Sequence, residues 1–387
     1  MSVNPAARTL LRPSFEAALG GAAFVRAMLD FESALARAQA EEGVIPASSA
    51  AAIENAARQV MDAETLVAEG KRSVSIAVPF VEALQARVAQ AAPEAAVHVH
   101  FGATSQDVID TAMVMAVRRC LDEADGCLAA AVAALAARAR EHRDTPMLGR
   151  TLMQPALPIT AGLKLARWAA AIEADRRRIE GARGALAIQL GGPVGALEKF
   201  GAKGPAVRAR VARQLGLADA PAWHTHRGDW IDLLDRIGQA ILTIGKIARD
   251  LSLLSQPEVG EMMEAAPRAG VGASSAMPHK RNPVGCAHAL AAATRAPGLL
   301  ATIHAASLGE HERALGGWQA ELATVPDLVG ALGSSLDFLE RIGSSLVVDA
   351  ARMAENLRAQ PEVHAAGGTP KEGLRTALDE LLKEIAR

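Results

Sequence analysis

The chain has 387 residues, 50% of them hydrophobic and 22% charged, enough for a large buried core and too apolar for a disordered or collagen-like polymer. Aromatic residues make up only 3%, with no tyrosine, which disfavours a sheet-rich fold and leaves an alanine-rich helical protein as the expectation. Forty-one basic against 43 acidic side chains leave a net charge of −2, and no Lys/Arg run forms a stripe for a nucleic-acid backbone, so no nucleic-acid partner is expected.

Near the N-terminus, Phe24, Met28, Phe31 and Leu35 recur at spacings of four, three and four and so share one helical face, with Gly43 and Pro46 ending the helix. Cys120, Cys127 and Cys286 form no CxxC pair, which suits a reducing cytoplasm better than a disulfide framework or a zinc site. The opening MSVNPAARTLLRPSF has no basic start followed by an apolar core, and no run of about 18 apolar residues is free of charge. Neither secretion nor membrane insertion is expected.

Residues 107–144 contain no proline and one glycine, Gly126, which predicts an unbroken helix roughly 55 Å long at about 1.5 Å per residue. Residues 163–180, opened by Pro155 and Pro158, and residues 230–256, closed by Pro257, behave alike. Several long, nearly parallel helices predict a bundle. Met113, Val114, Met115 and Val117 nearly encircle one turn, more apolar cover than one surface helix needs, so subunits of a homo-oligomer are expected to share the bundle.

Three Gly/Pro-rich, non-helical stretches separate the helices, residues 96–107, 149–162 and 264–285, and loops at the ends of rigid helices are the expected seat of chemistry. In the last of these, adjacent serines, glycines, Lys280 and Asn282 share one turn-rich segment. A serine in such a setting can have its alkoxide stabilised by backbone N–H groups and an ammonium. The stretch 102–107 runs straight into the longest helix and offers hydroxyls and free N–H groups at a positive helix end, fit for a carboxylate, with plain capping by Thr104 or Ser105 as the alternative. His98 with His100, and His224 with His226, form HxH pairs that lack further ligands at metal spacing, so no metal is expected. Gly191, Gly192, Pro193, Val194 and Gly195 lack a following Lys-Ser/Thr and read as a helix-to-helix turn. Residues 310–321, EHERALGGWQAE, carry more glycine and indole than a solvated helix face requires.

Taken together, these stretches resemble the fumarase/aspartase superfamily, whose signature SSxMPxKxNP is matched by residues 274–283. Two further blocks, residues 100–107 and 149–156, follow in the family's order, and the resemblance spans about residues 12–357. It implies an all-α fold whose long central helices form a twenty-helix bundle in a homotetramer, with active sites assembled from loops of three subunits and no metal or organic cofactor. It implies Ser275 as the residue acting on the proton α to a substrate carboxylate, with Lys280 as its catalytic partner. Thr104, Ser105, Gln154 and Asn282 would hold the substrate, joined as binding candidates by His100, Arg150, His224, Arg313 and Trp318 from the matched motifs.

One departure narrows the chemistry. Adenylosuccinate lyases and fumarases carry a histidine after GRT where Leu152 stands, and leucine cannot transfer a proton. An internal carboxylate of low pKa can add or leave without protonation, which points to the lactone-forming branch and a small substrate with three carboxylates. Lys280, Arg313 and the helix start at Asp107 are the donors expected to receive them. A same-fold adenylosuccinate- or argininosuccinate-type lyase and a catalytically silent helical oligomer remain alternatives.

The expected division is an N-terminal helical domain at 1–96, a central long-helix domain at 97–345 and a shortened C-terminal segment at 346–387. After a family-like turn at 349–357, about thirty residues with one helix, 373–387, stand where the family has a small helical domain.

Overall fold

The computed structural model describes residues 4–265, 271–273, 276–277, 279–367 and 372–387. In chain order the helices among them are α1 Pro5–Arg8, α2 Pro13–Ala18, α3 Gly21–Glu41, α4 Ala47–Ala57, α5 Ala63–Gly70, α6 Ala77–Ala91, α7 Ser105–Glu141, α8 Ala161–Gly181, α9 Gly204–Leu215, α10 Gly228–Leu254, α11 Val284–Ala306, α12 Gly317–Ser345, α13 Ala350–Arg358, α14 Pro361–Gly367 and α15 Glu372–Ile385. The long helices begin where the local chemistry allows. Thr104 is the N-cap of α7, and the Thr160 hydroxyl accepts the Leu163 N–H at 3.1 Å to open α8. α10 stops three residues short of Pro257.

Contacts fix the directions of these helices. Asp110 near the start of α7 meets Trp318 at the start of α12 and Arg227 just before α10, so the three run parallel. At the far end Arg138 of α7 donates to the Leu346 carbonyl beyond α12 at 3.0 Å. α11 runs back against α10, where Gly238 faces Leu300 and Gly245 faces Ala293. α8 runs back against α7, with Arg176 on Asp125 at 2.9 Å and Gly162 beside Ala139.

The core follows the predicted faces. Leu121, Leu128 and Leu135 of α7, Ile237, Ile241, Ile244 and Ile247 of α10 and Leu332, Leu336 and Leu339 of α12 are all buried. Met113, Val114, Met115 and Val117 are buried as well within the single chain, so their apolar cover does not by itself call for a partner subunit. α12 is long and apolar enough to cross a membrane, and 72% of its most apolar window is buried in this core.

Three local expectations are corrected. The stretch 149–162 is no irregular loop: β1 Pro146–Thr151 pairs antiparallel with β2 Gln154–Thr160, and a second small sheet joins β3 Met262–Glu264 to β4 Leu346–Val348. The turn between β1 and β2 consists of Leu152 and Met153, at φ 49° and 66°. Two-residue hairpins demand this left-handed backbone, which glycine or asparagine normally supplies. Gly191 to Gly195 lie between two 3₁₀ turns, Arg183–Ala185 and Glu198–Lys203, and wrap a carboxylate rather than linking two α-helices. The C-terminal segment holds α14 as well as α15, because Pro361 can start a helix at its first position. α15 then turns Leu378 and Leu382 inward, and Arg143 grips Asp379.

The close approach of α7 and α8 depends on Gly162, whose backbone sits so tightly that a Cβ would lie 2.5 Å from the Ala139 carbonyl oxygen and 2.8 Å from that of His142. Gly162→Ala is expected to cost about 1–3 kcal/mol in urea unfolding by overpacking. Gly181→Ala, where nothing lies within 4 Å, is expected to be neutral or slightly stabilising.

Candidate functional site

The start of α7 is built around a buried carboxylate. Asp107 is 0% exposed, and its two oxygens accept from the backbone N–H groups of Thr104 (3.1 Å), Gly191 (3.0 Å) and Gly192 (2.9 Å) and from Gln189 Nε2 (2.9 Å). Burial pushes its carboxyl up to about 6, against the pull of Gln189, the two glycine amides and His100. The arrangement clamps the 191–195 loop over the helix end. Thr104 and Ser105 stand at the rim, where a helix N-terminus attracts negative charge.

One turn further on lies a second buried cluster. Arg227 donates to Asp110 (2.9 Å) and to Glu321 (2.7 Å), all three being nearly fully buried. Trp318 Nε1 completes Asp110 at 2.9 Å and Trp230 Nε1 completes Glu321 at 2.9 Å. The Arg227 guanidinium also lies 4.6 Å above the Trp223 ring. Burial works against its charge, but the two carboxylates more than offset that and hold its pKa above the ordinary value. Gln106 bridges this cluster to the rim: its Nε2 donates to Asp110 and to the His224 carbonyl, and its Oε1 accepts from Arg313 at 3.2 Å. Arg313 also donates to the Pro193 carbonyl at 2.9 Å.

His100, Thr104, Ser105, His224 and Arg313 therefore meet at one end of the bundle. His224 is 8% exposed, and its ring presses on Gly195, where a Cβ would come within 2.4 Å of Cε1. Burial first, and then the Arg313 charge, lower its pKa, so it stands neutral among cations. Trp318 is buried beneath this rim with its N–H committed to Asp110.

The remaining candidates lie at the other end. Arg150 on β1 is bound in bidentate fashion to Glu261 (2.8 and 2.9 Å), a carboxylate that is 0% exposed and also accepts from Asn356. Gln154 is exposed at the start of β2, beside a tip whose Leu152 is 96% exposed. Lys280 and Asn282 are exposed in the segment before α11, where Asn282 donates its N–H to the Gly272 carbonyl at 2.8 Å. Ser275 lies outside the described residues. Since α10 has 27 residues, about 40 Å separates this end from the α7 start within one chain.

Asp110, Arg227, Glu261 and Glu321 are the groups that sequence reasoning passed over, and Asp107 was read only as the start of a helix. Their signal was present: Thr104 and Asp107 have the spacing of a capping box, and Arg227 and Glu321 close the WHTHR and GGWQAE segments whose other members drew attention.

A family model described as lyase matches residues 13–298, and the chain belongs to this lyase family. Among its curated relatives, the 3-carboxy-cis,cis-muconate cycloisomerase of Bradyrhizobium diazoefficiens is 47% identical over 336 residues, covering 86% of this chain and 74% of the relative. The nitrosuccinate lyase of Streptomyces davaonensis is 42% identical over 354 residues, covering 88% and 74%. The crystal structure of the 3-carboxy-cis,cis-muconate lactonizing enzyme from Pseudomonas putida matches with a TM-score of 0.88 at 34% identity, covering 98% of each chain.

Removing Arg227 would leave Asp110 and Glu321 buried without a counter-charge. Arg227→Met is expected to lose about 3–5 kcal/mol in denaturant unfolding. An unchanged unfolding midpoint would show that the cluster is not structural.

Proposed function

We propose that the chain is a cycloisomerase that interconverts 3-carboxy-cis,cis-muconate and γ-carboxymuconolactone, in the protocatechuate branch of aromatic catabolism. The observation that carries this reading is the 47% identity to a cycloisomerase of that name across 86% of the chain. The apolar tip supports it, since Leu152 offers no proton to a leaving group. One substrate carboxylate adds across a conjugated double bond, and the displaced electron pair is held as an enediolate by the other carboxylates' binding site. Ser275 then delivers a proton to the adjacent carbon, and takes it back in the reverse direction. Lys280, Arg313 and the α7 N-terminus receive the carboxylates, with Thr104, Ser105, Gln154 and Asn282 orienting them. The substrate's own carboxylates supply nucleophile and electron sink, so the reaction needs no metal or organic cofactor.

The same reading makes the protein a homotetramer. Its two groups of candidate residues lie about 40 Å apart in one chain, so a complete site needs ends contributed by different copies. Within residues 97–345 the five helices of 21 residues or more, α7, α8, α10, α11 and α12, make twenty in four copies, while α3, of equal length to α8, lies in the N-terminal segment. α11 supports this arrangement: it is rich in alanine, and Ala287, Ala301 and Ala305 are exposed. Exposed Leu152, Met153 and Leu157 give the hairpin an apolar tip to seat in a neighbour. Residues 97–345 then form the shared bundle, with 1–96 and 346–387 as flanking domains. The reading is completed by a cytoplasmic location, a small polycarboxylate as substrate, and no nucleic-acid or membrane partner.

Purified protein is expected to bleach the diene absorbance of 3-carboxy-cis,cis-muconate, and Ser275→Ala to slow this by about 10²–10⁴-fold. Turnover of adenylosuccinate or nitrosuccinate in its place would overturn the assignment. For shared sites the expectation is complementation: Arg313→Ala and Ser275→Ala, each nearly inactive alone, regain activity when unfolded and refolded together. Failure of that mixture, with both variants folded, would place each site within one subunit.

A further inference from the structure

A buried carboxylate on α3 has no part in the chemistry above. Glu32 is 1% exposed, its Oε1 lies 2.5 Å from His100 Nδ1, and its Oε2 accepts the His100 backbone N–H at 3.1 Å. One carboxylate thus grips both the ring and the main chain of a single residue. The residue it grips is left-handed, with φ 58°, a conformation uncommon outside glycine. Two turns along α3, Gln39 donates to the Phe101 carbonyl at 2.7 Å, so α3 fastens the loop leading into α7 at two points.

Fastening alone does not call for a charge, because a neutral amide at position 32 could accept the backbone N–H through its oxygen and donate its NH2 to the Nδ1 of a neutral ring. The charges around the ring do. Glu32 faces the imidazole from α3, and Asp107 with the Thr104 carbonyl faces it from the α7 side. Lys199 packs its Cβ against Gly102, and His98 turns its Nδ1 to Ser49 Oγ at 3.1 Å. Among the described residues, two buried carboxylates and a carbonyl thus face the ring, at the α7 N-terminus proposed above to receive substrate carboxylates. With a neutral ring, the negative charge of Glu32 and Asp107 would be met there by N–H groups alone, and a polyanion would be repelled.

We infer that Glu32 holds His100 as an imidazolium, so that the floor of the α7 seat presents a fixed positive charge to one carboxylate of the substrate. Glu32 is the positioning residue, and the ring carries the charge. The inference rests on reading the α7 N-terminus as a carboxylate seat. Burial opposes the charge on His100, but Glu32 first, then Asp107 and the Thr104 carbonyl, lift its pKa above the ordinary imidazole value. The charge is complete below the ordinary value and is lost as pH rises through the raised one, so anion binding weakens on the alkaline side.

The test follows the His100 ring resonance, assigned by its absence in His100→Gln, in carbon-13-histidine-labelled whole enzyme from about pH 6 to about pH 9. Calorimetry with propane-1,2,3-tricarboxylate as the probe covers the same range. Glu32→Gln keeps shape and an acceptor while removing the charge. It is expected to move the ring's titration to lower pH and to weaken the probe about tenfold at slightly alkaline pH, with Glu32→Asp restoring both. An unmoved titration, or probe affinity independent of it, overturns the inference. Should Glu32→Gln fail to fold, His100→Gln decides: it must abolish the alkaline loss of probe affinity, and retention of that loss overturns the inference. Turnover of 3-carboxy-cis,cis-muconate, run alongside, reports separately on the cycloisomerase reading, because its absence in the wild type leaves the ring titration unaffected.

Discussion

Two aspartates one turn apart on a single helix decide how this chain is arranged. Asp107 gathers four N–H donors and pins the 191–195 loop, while Asp110 takes Arg227, Trp318 and Gln106. Through them the starts of α7, α10 and α12 are tied to one point. A carboxylate taken out of water must find such partners or be neutralised, so these contacts specify which helix ends meet and not merely that they are helices. The half-buried rim residues, Thr104 and Ser105, borrow their rigidity from this polar floor.

A rigid bundle then imposes a constraint of its own. Helices of 27 to 37 residues keep their two ends far apart, and folding within one chain cannot bring them together. The hairpin with Arg150 and the segment with Lys280 and Asn282 are fixed at the end opposite the α7 start, the first of them by Glu261 and Asn356. Stiffness holds each group of residues precisely while keeping the two groups apart, and the proposed tetramer is the arrangement in which symmetry between copies would reunite them.

Much of the fold was legible because it rests on periodicity and on the absence of breakers. The uninterrupted stretch 107–144 became α7 at Ser105–Glu141. What escaped was polar and non-local. The hairpin was hidden because Pro155 and Pro158 read as helix starters, although each sits on β2 in an edge pairing that needs no N–H from it. The apolar belt of Met113 to Val117 pointed to neighbouring subunits, whereas helices of the same chain cover it. Glu32 left a trace that went unread: it stands four residues after Met28 and three before Leu35, on the buried face itself, where a lone carboxylate announces a partner. Its partner is 68 residues away, and no spacing rule reaches that far. Of the site, the motif positions could be read, but not which of them lie together.

The hairpin tip shows where such a family keeps its freedom to change. Leu152 is 96% exposed and contributes nothing to the core of its own chain, while the strands behind it are secured by ladder pairing and the Arg150–Glu261 pair. A side chain in that position packs against nothing in the core of its own chain, so beyond the left-handed backbone that favours glycine or asparagine, that core places no demand on its identity. Diversification of one scaffold among eliminations and cyclisations then requires few substitutions, provided they fall on residues that the fold itself never uses.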